Sequence, residues 1–164
     1  MKGISDKAII FDLGGIAKGY AVDQAVAKIK NLSLDSELSC VVNAGGDLYM
    51  WGDEVNFSAA QVLGESMTWL KPFKISETAI ATSSVRSSNS SINLSRAAHV
   101  KMPEGKILEE PRTVTVFARN CILADALTKI VLLGSSDLAT QCLSLYEAKA
   151  IELNSDGEVE KVIG

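Results

Sequence analysis

The chain has 164 residues, of which 47% are hydrophobic and 22% charged, and a formal net charge of −4. This length and composition predict one globular domain with its own core, and the mild acidity without a basic stripe argues against nucleic-acid binding. No apolar run approaches the roughly 18 residues of a membrane-spanning helix, and the run at residues 8–11 is too short for a secretion signal. We expect a cytoplasmic protein as the chain is given, and a cell-envelope protein if a signal segment precedes it.

Three cysteines occur at wide spacings, at Cys40, Cys121 and Cys142. Their odd number argues against a disulfide framework, and no pair has the CxxC spacing typical of zinc ligands. Each cysteine lies in an apolar stretch, so we predict buried free thiols in a reducing compartment.

The first predicted elements are a strand and a helix separated by two glycines. The apolar run at residues 8–13 predicts a short strand that ends at Gly14. From Ile16 onward, apolar residues recur at helical spacing with charged residues largely on the other faces. Asn31 is a reasonable end for this helix.

Extended segments fill the next part of the chain. Residues 39–43 predict a buried strand, the sequence AGGD a turn, and residues 48–51 a second extended run. Residues 55–63 and 66–75 are interpreted as two strands around Gly64.

A long strand, a polar stretch and a second clear strand follow. Thr78–Val85 predicts a strand that runs into the Ser/Asn-rich sequence SSVRSSNSSINLS, which we interpret as a mobile loop. Residues 97–101 predict an extended segment. Arg112–Ala118 alternates and is rich in β-branched residues, which predicts a strand.

Two helices are predicted in the last third of the chain. Residues 124–133 predict a helix with Gly134 as a left-handed C-cap. Ser135 or Ser136 then caps the second helix. The inner face of that helix is predicted to carry Leu138, Cys142 and Leu145.

The chain ends in a predicted hairpin. Residues 148–153 and 158–163 predict two strands, and the Asp-Gly pair between them is typical of a hairpin turn. Strands and helices are mixed without regular alternation, which favours the α+β class. With neither an internal repeat nor a linker in the sequence, we expect one domain over residues 1–164.

The stretch DLGGIAKGYAVD raises the first chemical question. It matches neither the P-loop GxxxxGK[ST] nor the dinucleotide fingerprint GxGxxG. One interpretation is a tight strand-to-helix turn. The other is a phosphate site, since glycines admit a ligand close to the backbone, a helix N-terminus attracts anions and Lys18 adds a positive charge.

The stretch VVNAGGDLYM carries a second double glycine. Gly45 and Gly46 between two extended runs are typical of a hairpin turn. The flanking Asn43 is also suited to orienting an amide or phosphate of a ligand. The stretch alone favours the turn.

Asp125, Thr128 and His99 are the remaining candidates. Asp125 is predicted near the start of an apolar helix, where an aspartate commonly meets first-turn amides. Burying it unpaired is costly, so Mg²⁺ is the alternative partner, with Thr128 one turn further on the same face adding a hydroxyl oxygen. His99 is the only histidine, and a lone histidine is more often structural or solvated than catalytic.

In order along the chain, DLGGIAKGYAVD, VNAGGDLY, AIATSS and TVTVFARNCILADALTKIVLLG resemble the motifs of the ApbE family, the FAD:protein FMN transferases. The resemblance covers about residues 8–134, corresponding to the C-terminal half or so of a typical member. It implies a single ApbE-like domain with a mixed, mainly antiparallel sheet and packed helices. It also implies a flavin transferase that uses FAD as substrate with Mg²⁺, and that moves FMN to a threonine of an acceptor protein or hydrolyses FAD to FMN and AMP.

The resemblance also implies roles for particular residues. The implied metal ligands are Ala17 (through its carbonyl) and Asp125, and the implied catalytic residue is His99. Thr128 stays the candidate for a further metal ligand because of its position on the same helix face as Asp125. The implied nucleotide-binding residues are Gly14, Gly15, Asn43, Gly45, Gly46 and Asp47, and the segment Ala81, Thr82 and Ser83 is implied to line the site. Lys18 joins this set through its charge beside the first turn.

Several departures from the family pattern weaken the expectation of activity. Lys129 stands four residues after Asp125, where the family commonly has a metal-binding threonine, and an ammonium there competes with a metal or pairs with Asp125. The segment HVKMPEGK lacks the family's aspartate and threonine, and ATSS lacks its usual glycine and aromatic residue. The alternative is thus a degenerate, non-catalytic flavin-nucleotide-binding or interaction domain. The expected partners are a flavin nucleotide, an acceptor protein, and a second copy or a separate N-terminal half.

Overall fold

The structure is a computed structural model that describes residues 13–32, 39–58, 60–63, 66–69, 72–85, 112–154 and 158–164. The strand predicted at residues 8–13 lies outside these ranges except for its last residue. The Ser/Asn-rich loop beyond Val85, the extended segment at 97–101 and His99 also lie outside them.

Three helices are described. The helical periodicity after Ile16 and the end at Asn31 are confirmed by α1. The second helix begins three residues earlier than predicted, because the Asn120 side chain caps it by accepting a hydrogen bond from Leu123 N at 3.0 Å. Their bounds are Ala17–Asn31 (α1), Cys121–Leu133 (α2) and Ser136–Leu145 (α3).

Ten strands form one large sheet and two small ones in the described residues. The large sheet has six strands in the order β1-β2-β7-β8-β9-β10, and every neighbouring pair is antiparallel. The strands are Cys40–Ala44 (β1), Asp47–Trp51 (β2), Val55–Phe57 (β3), Ala60–Leu63 (β4), Ser66–Trp69 (β5), Phe73–Ile75 (β6), Thr78–Val85 (β7), Arg112–Ala118 (β8), Lys149–Leu153 (β9) and Val159–Ile163 (β10). The mainly antiparallel α+β fold is confirmed.

The core lies between the large sheet and the helices. β7 and β8 are the two central strands, and α2 packs against both. Ala79 and Ala81 on β7 are fully buried, and their small side chains let the apolar helix approach the sheet closely. Val114 and Val116 on β8 complete this surface. On β7, therefore, odd-numbered positions face α2, since strand side chains alternate between faces.

The region between β2 and β7 is more divided than predicted. Each of the two predicted strands is divided into two shorter strands. β4 and β5, which are consecutive in the chain, pair with each other, and the flanking strands β3 and β6 pair with each other. Phe57 and Phe73 of the outer pair contact Phe117 of β8 at ring-centroid distances of 5.8 and 5.6 Å. This aromatic cluster anchors the smaller sheet to the larger one.

Gly134 corrects one prediction about helix ends. Its φ is −82°, so it is not a left-handed C-cap. A Cβ at this position would lie 2.6 Å from the Ile130 carbonyl oxygen, so close approach of the backbone explains the glycine.

The predicted inner face of α3 is correct for Cys142, which is partly buried against the core, and wrong for its two leucines. Ser135 is the N-cap as expected, and its hydroxyl accepts from Leu138 N at 3.2 Å. The buried residues of α3 are Ala139 and Leu143, whereas Leu138 and Leu145 are exposed. Alanine counts little in a hydrophobic pattern, so the pattern does not reveal that the buried stripe is centred on Ala139 and Leu143.

Two burial predictions need correction as well. β1 alternates between half-buried and exposed positions, because it is an edge strand of the sheet formed by the described residues and not a fully buried strand. All three cysteines are free thiols, but only Cys121 is buried, and Cys40 and Cys142 are partly exposed.

Candidate functional site

The first corner of the site is the turn that leads into α1. The Leu13 carbonyl accepts hydrogen bonds from Ile16 N at 3.0 Å and Ala17 N at 2.9 Å, which closes the turn around Gly14 and Gly15. The N-cap residue Ile16 supplies no side-chain hydrogen bond to the helix. Ala17 is the first residue of α1 and is exposed.

The second corner is the turn between β1 and β2. Gly45 and Gly46 have φ values of +66° and +103°, a left-handed conformation that glycine adopts without strain. The Asn43 side chain accepts a hydrogen bond from Gly46 N at 3.0 Å. The hairpin interpretation is therefore confirmed, and the side-chain oxygen of Asn43 stabilises the turn by accepting this hydrogen bond.

Lys18 connects the two corners. Its ammonium pairs with Oδ2 of Asp47, which is 1% exposed, and its Cδ would lie 4.0 Å from a Cβ at Gly45. The other carboxylate oxygen of Asp47 is buried with no hydrogen-bond partner in the described part of the chain. Burial raises the pKa of Asp47 most, the Lys18 hydrogen bond opposes this, and the charge of Asp125 adds to the increase.

Asp125 forms the third corner on α2, and it is fully buried. Its Oδ1 pairs with the ammonium of Lys129, and its Oδ2 accepts a long hydrogen bond of 3.4 Å from Gly19 N. Thr128 donates to the carbonyl of Asp125 at 2.7 Å. The predicted pairing of Lys129 with Asp125 is confirmed.

The interpretation of Asp125 as a partner of first-turn amides is wrong, because α2 starts earlier and places Asp125 in its second turn. Asp23 of α1 has that role instead. Its two carboxylate oxygens accept from Cys121 N at 2.8 Å and Ile122 N at 2.9 Å. An aspartate from a different helix thus satisfies the free amides and the positive end of α2.

α1 and α2 cross in close contact at Gly19. A Cβ on Gly19 would lie 2.4 Å from the Cys121 carbonyl oxygen, so only glycine fits here. This contact brings the first turn of α1 beside Asp125.

Lys129 lies against the first turn, as Lys18 lies against the second. A Cβ at Gly15 would be 3.5 Å from Lys129 Cε, and Nζ donates to Ser83 Oγ at 3.1 Å. Each Gly-Gly turn is therefore accompanied by a lysine whose ammonium is held by a buried aspartate. We call these four charged residues the four-charge cluster: Lys18, Asp47, Asp125 and Lys129.

Thr82 is not brought to this cluster. Since Ala79, Ala81 and Ser83 face α2, Thr82 points to the opposite face of the sheet, where its hydroxyl lies 2.9 Å from the Thr115 hydroxyl. Ser83 reaches the cluster instead, 2.7 Å from the Thr128 hydroxyl.

Sequence reasoning missed Asp23, whereas the family resemblance implied that Ser83 lines the site together with Ala81 and Thr82. A signal for Ser83 was present, because small residues occupy every second position of TAIATSSV and indicate the side that a helix covers. Asp23 carried no such signal, since its partners are 98 and 99 residues away along the chain.

The side chains around Asp125 do not form a site for a divalent metal ion. In the described ranges, no group of three or more His, Cys, Asp or Glu side chains is arranged to hold a metal. Both oxygens of Asp125 are engaged, and a dication about 4 Å from the Lys129 ammonium would be repelled by about 8 kcal/mol at an effective dielectric of 20. As arranged, these residues do not fit Mg²⁺, and metal binding by Ala17, Asp125 and Thr128 stays a prediction that requires Lys129 to leave.

The chain matches a known protein family over most of its length. The sequence profile described as the ApbE family matches residues 3–151. This chain belongs to the ApbE family. No curated protein matches it.

Solved ApbE structures share its fold. A flavinyl transferase ApbE from Pseudomonas stutzeri, in its apo form, is 22% identical with a TM-score of 0.60, covering 93% of this chain and 47% of its own. A point mutant of the flavin transferase ApbE from Vibrio cholerae is 20% identical, with a TM-score of 0.66 and coverage of 93% and 50%. An ApbE protein from Thermotoga maritima is 24% identical, with a TM-score of 0.66 and coverage of 92% and 50%.

The chain thus spans about half the length of these ApbE structures. Within the described residues, no helix has the length and apolar character needed to cross a membrane.

Proposed function

We propose that this ApbE-family chain binds a flavin nucleotide, with FAD as its ligand, at the four-charge cluster. One observation carries the proposal: two Gly-Gly turns converge on this cluster, and each is accompanied by a lysine paired with a buried aspartate. Turns without Cβ atoms admit a ligand close to the backbone, and the positive end of the α1 dipole lies at the first of the two turns. Both features suit the pyrophosphate of FAD.

Gly14, Gly15 and Lys18 are proposed to face the phosphates, and Asn43, Gly45, Gly46 and Asp47 to shape the nucleotide pocket. Thr82 is the weakest member of the predicted set because it points to the other face of the sheet. Ser83 takes its place in our proposal.

The fuller activity proposed is that of a flavin transferase. The phosphoanhydride bond of FAD would break, a phosphoester would form between FMN and the Oγ of an acceptor threonine, and AMP would leave with the electron pair. The threonine proton goes to AMP or solvent, and with water as acceptor the products are FMN and AMP. His99 is the predicted catalytic residue, and its role stays a prediction.

A second candidate is binding of FAD without cleavage. The Lys129–Asp125 pair favours it, because the carboxylate expected to recruit a metal is already neutralised. Magnesium-dependent transfer would require that pair to open.

One experiment with two readouts separates these candidates. Flavin fluorescence of FAD is titrated with the chain, and the same mixtures are analysed for AMP by chromatography. Saturable quenching is expected, and its absence contradicts the proposal. AMP that accumulates with time indicates the enzyme, whereas binding without AMP indicates the second candidate.

We also propose that a second copy or a separate N-terminal half completes the domain, since the chain spans about half of the solved relatives. Sedimentation of the chain alone and with FAD tests the first alternative. A sharp increase in FAD affinity on addition of a separately expressed N-terminal half supports the second.

A further inference from the structure

The geometry points to Lys129 as a built-in replacement for the divalent ion: its ammonium holds the nucleotide phosphate, so FAD binding needs no divalent metal. This inference rests on the proposed function and names the group that recognises the ligand.

The position of the ammonium is the first argument. It lies on Oδ1 of the fully buried Asp125, the position a cation bound to this carboxylate would take. Its stem runs along Gly15, with Cε 3.5 Å from where a Cβ would be, so a phosphate against that turn comes within reach of Nζ. The charge and the glycine turn therefore belong to one site.

The second argument is the hydrogen-bonding capacity of the ammonium. Nζ has three N–H donors. Two are directed at Asp125 and at Ser83 Oγ, 3.1 Å away, and no third partner is found among the described residues. The Lys129 side chain is 26% exposed, so the remaining donor is open to a ligand from solvent.

The ammonium of Lys129 is held firmly by its two partners. Asp125 is fixed by Gly19 N and by its place in the packed helix α2, and Ser83 is fixed by Thr128 at 2.7 Å. A lysine held by two such groups is pre-organised, and little side-chain entropy remains to be lost when a phosphate binds. By contrast, a mobile surface lysine would contribute little.

The test is a fluorescence titration of FAD, FMN and riboflavin with the 164-residue chain, in EDTA and in Mg²⁺. Equal FAD affinity in both buffers is expected for the unmodified chain. Lys129→Gln, which keeps a donor for Asp125 but removes the charge, should weaken FAD and FMN binding about tenfold in EDTA, the loss of one charge-assisted hydrogen bond. Riboflavin binding should not change, because riboflavin has no phosphate.

Lys161→Gln is the matched control, since Lys161 also donates to a serine hydroxyl (Ser136, 2.7 Å) but lies on β10, at the far edge of the sheet from β1. It should bind FAD like the unmodified chain. Lys129→Arg keeps the charge and should retain most of the affinity, which separates a charge effect from a change in folding. If circular dichroism shows that Lys129→Gln is unfolded, the inference is tested by the unmodified chain alone, whose FAD affinity is compared in EDTA and in Mg²⁺.

FAD binding that requires Mg²⁺ overturns the inference while leaving the proposed function intact. Unchanged FAD affinity in a folded Lys129→Gln variant also overturns it. Absence of flavin binding under every condition overturns the proposed function and the inference together.

Discussion

Asp23 on α1 caps α2, its two carboxylate oxygens accepting from Cys121 N at 2.8 Å and Ile122 N at 2.9 Å. The contact fixes the second helix relative to the first, and so places Asp125 beside Gly19. The last residue of DLGGIAKGYAVD therefore organises the site without lining it.

Replacing Asp23 by Ala should destabilise the fold by about 1–2 kcal/mol, because two helix amides lose their acceptor. Asp23→Asn keeps one carbonyl oxygen as an acceptor, so its free energy of unfolding should lie between those of the unmodified chain and Asp23→Ala. The free energy of unfolding from urea titration measures both. Asp53→Ala, at an exposed turn, is the control and should stay within about 0.5 kcal/mol of the parent. Equal losses in Asp23→Ala and the control would contradict the capping role.

Gly19→Ala should destabilise by about 1–3 kcal/mol or more, because its Cβ would lie 2.4 Å from a backbone oxygen that cannot move without separating the helices. Gly15→Ala is the matched comparison. Its Cβ would sit at an ordinary 3.5 Å from Lys129 Cε, so thermal stability should be nearly unchanged. Similar melting temperatures for the two variants would show that the helix crossing is looser than described.

Lys18→Met removes the only cation that bonds directly to Asp47 in the described structure, leaving a buried carboxylate. We expect a loss of about 1–3 kcal/mol at pH 7. The pKa of Asp47 is already raised above its ordinary 3.8 by burial, and losing Lys18 raises it further. Because the folded-state pKa of Asp47 is raised, its contribution to the free energy of unfolding is fully present below pH 3.8, the ordinary pKa of the group. It is lost as the pH rises through the folded-state pKa.

The deficit of Lys18→Met should accordingly shrink as the pH is lowered toward that pKa, where the carboxyl group carries a proton. Urea unfolding at pH 7 and at pH 4.5 measures it. Lys28→Met, at an exposed position later on the same helix, should show a small and pH-independent effect. A deficit in Lys18→Met that is equal at both pH values would argue against a buried charge at Asp47.

Cys121 should resist thiol reagents in the folded chain. Burial raises its pKa to about 12, with the charges of Asp23 and Asp47 adding to the increase, so almost no thiolate exists near pH 8. Labelling with a chromogenic disulfide, followed by mass spectrometry, should modify the partly exposed Cys40 and Cys142 first and Cys121 only in denaturant. Rapid native labelling of Cys121 would be inconsistent with the packing of α1 on α2.

Local sequence patterns were enough for most elements. Alternating β-branched residues predicted β8 and the extended pattern predicted β7, both with their observed bounds, and helical periodicity predicted α1. The paired glycines predicted the hairpin between β1 and β2. These features depend on residues within a few positions of each other, and such short-range preferences can be read directly from sequence.

The faces and partners were harder to predict. Whether the odd- or the even-numbered residues of β7 face α2 decides whether Ser83 or Thr82 reaches that helix. A shift of one residue exchanges the two faces of a strand. The predicted inner face of α3 is wrong for Leu138 and Leu145, because Ala139 packs inward while both leucines are exposed. In both cases the neighbouring element, and not the hydrophobicity of the residue, selects the side chain that is buried.

The sequence by itself determined the family motifs, the two glycine turns and the unusual lysine after Asp125. Only the tertiary structure decided that Lys129 stays on that carboxylate beside Gly15, and that Lys18 crosses to Asp47. The Gly19–Asp125 contact joins residues 106 positions apart, so it exists only because α1 and α2 pack against the same sheet. A buried carboxylate without a partner is costly, so it pairs with a cation that lies within reach in the folded chain. Packing, and not the local sequence, determines which cation that is.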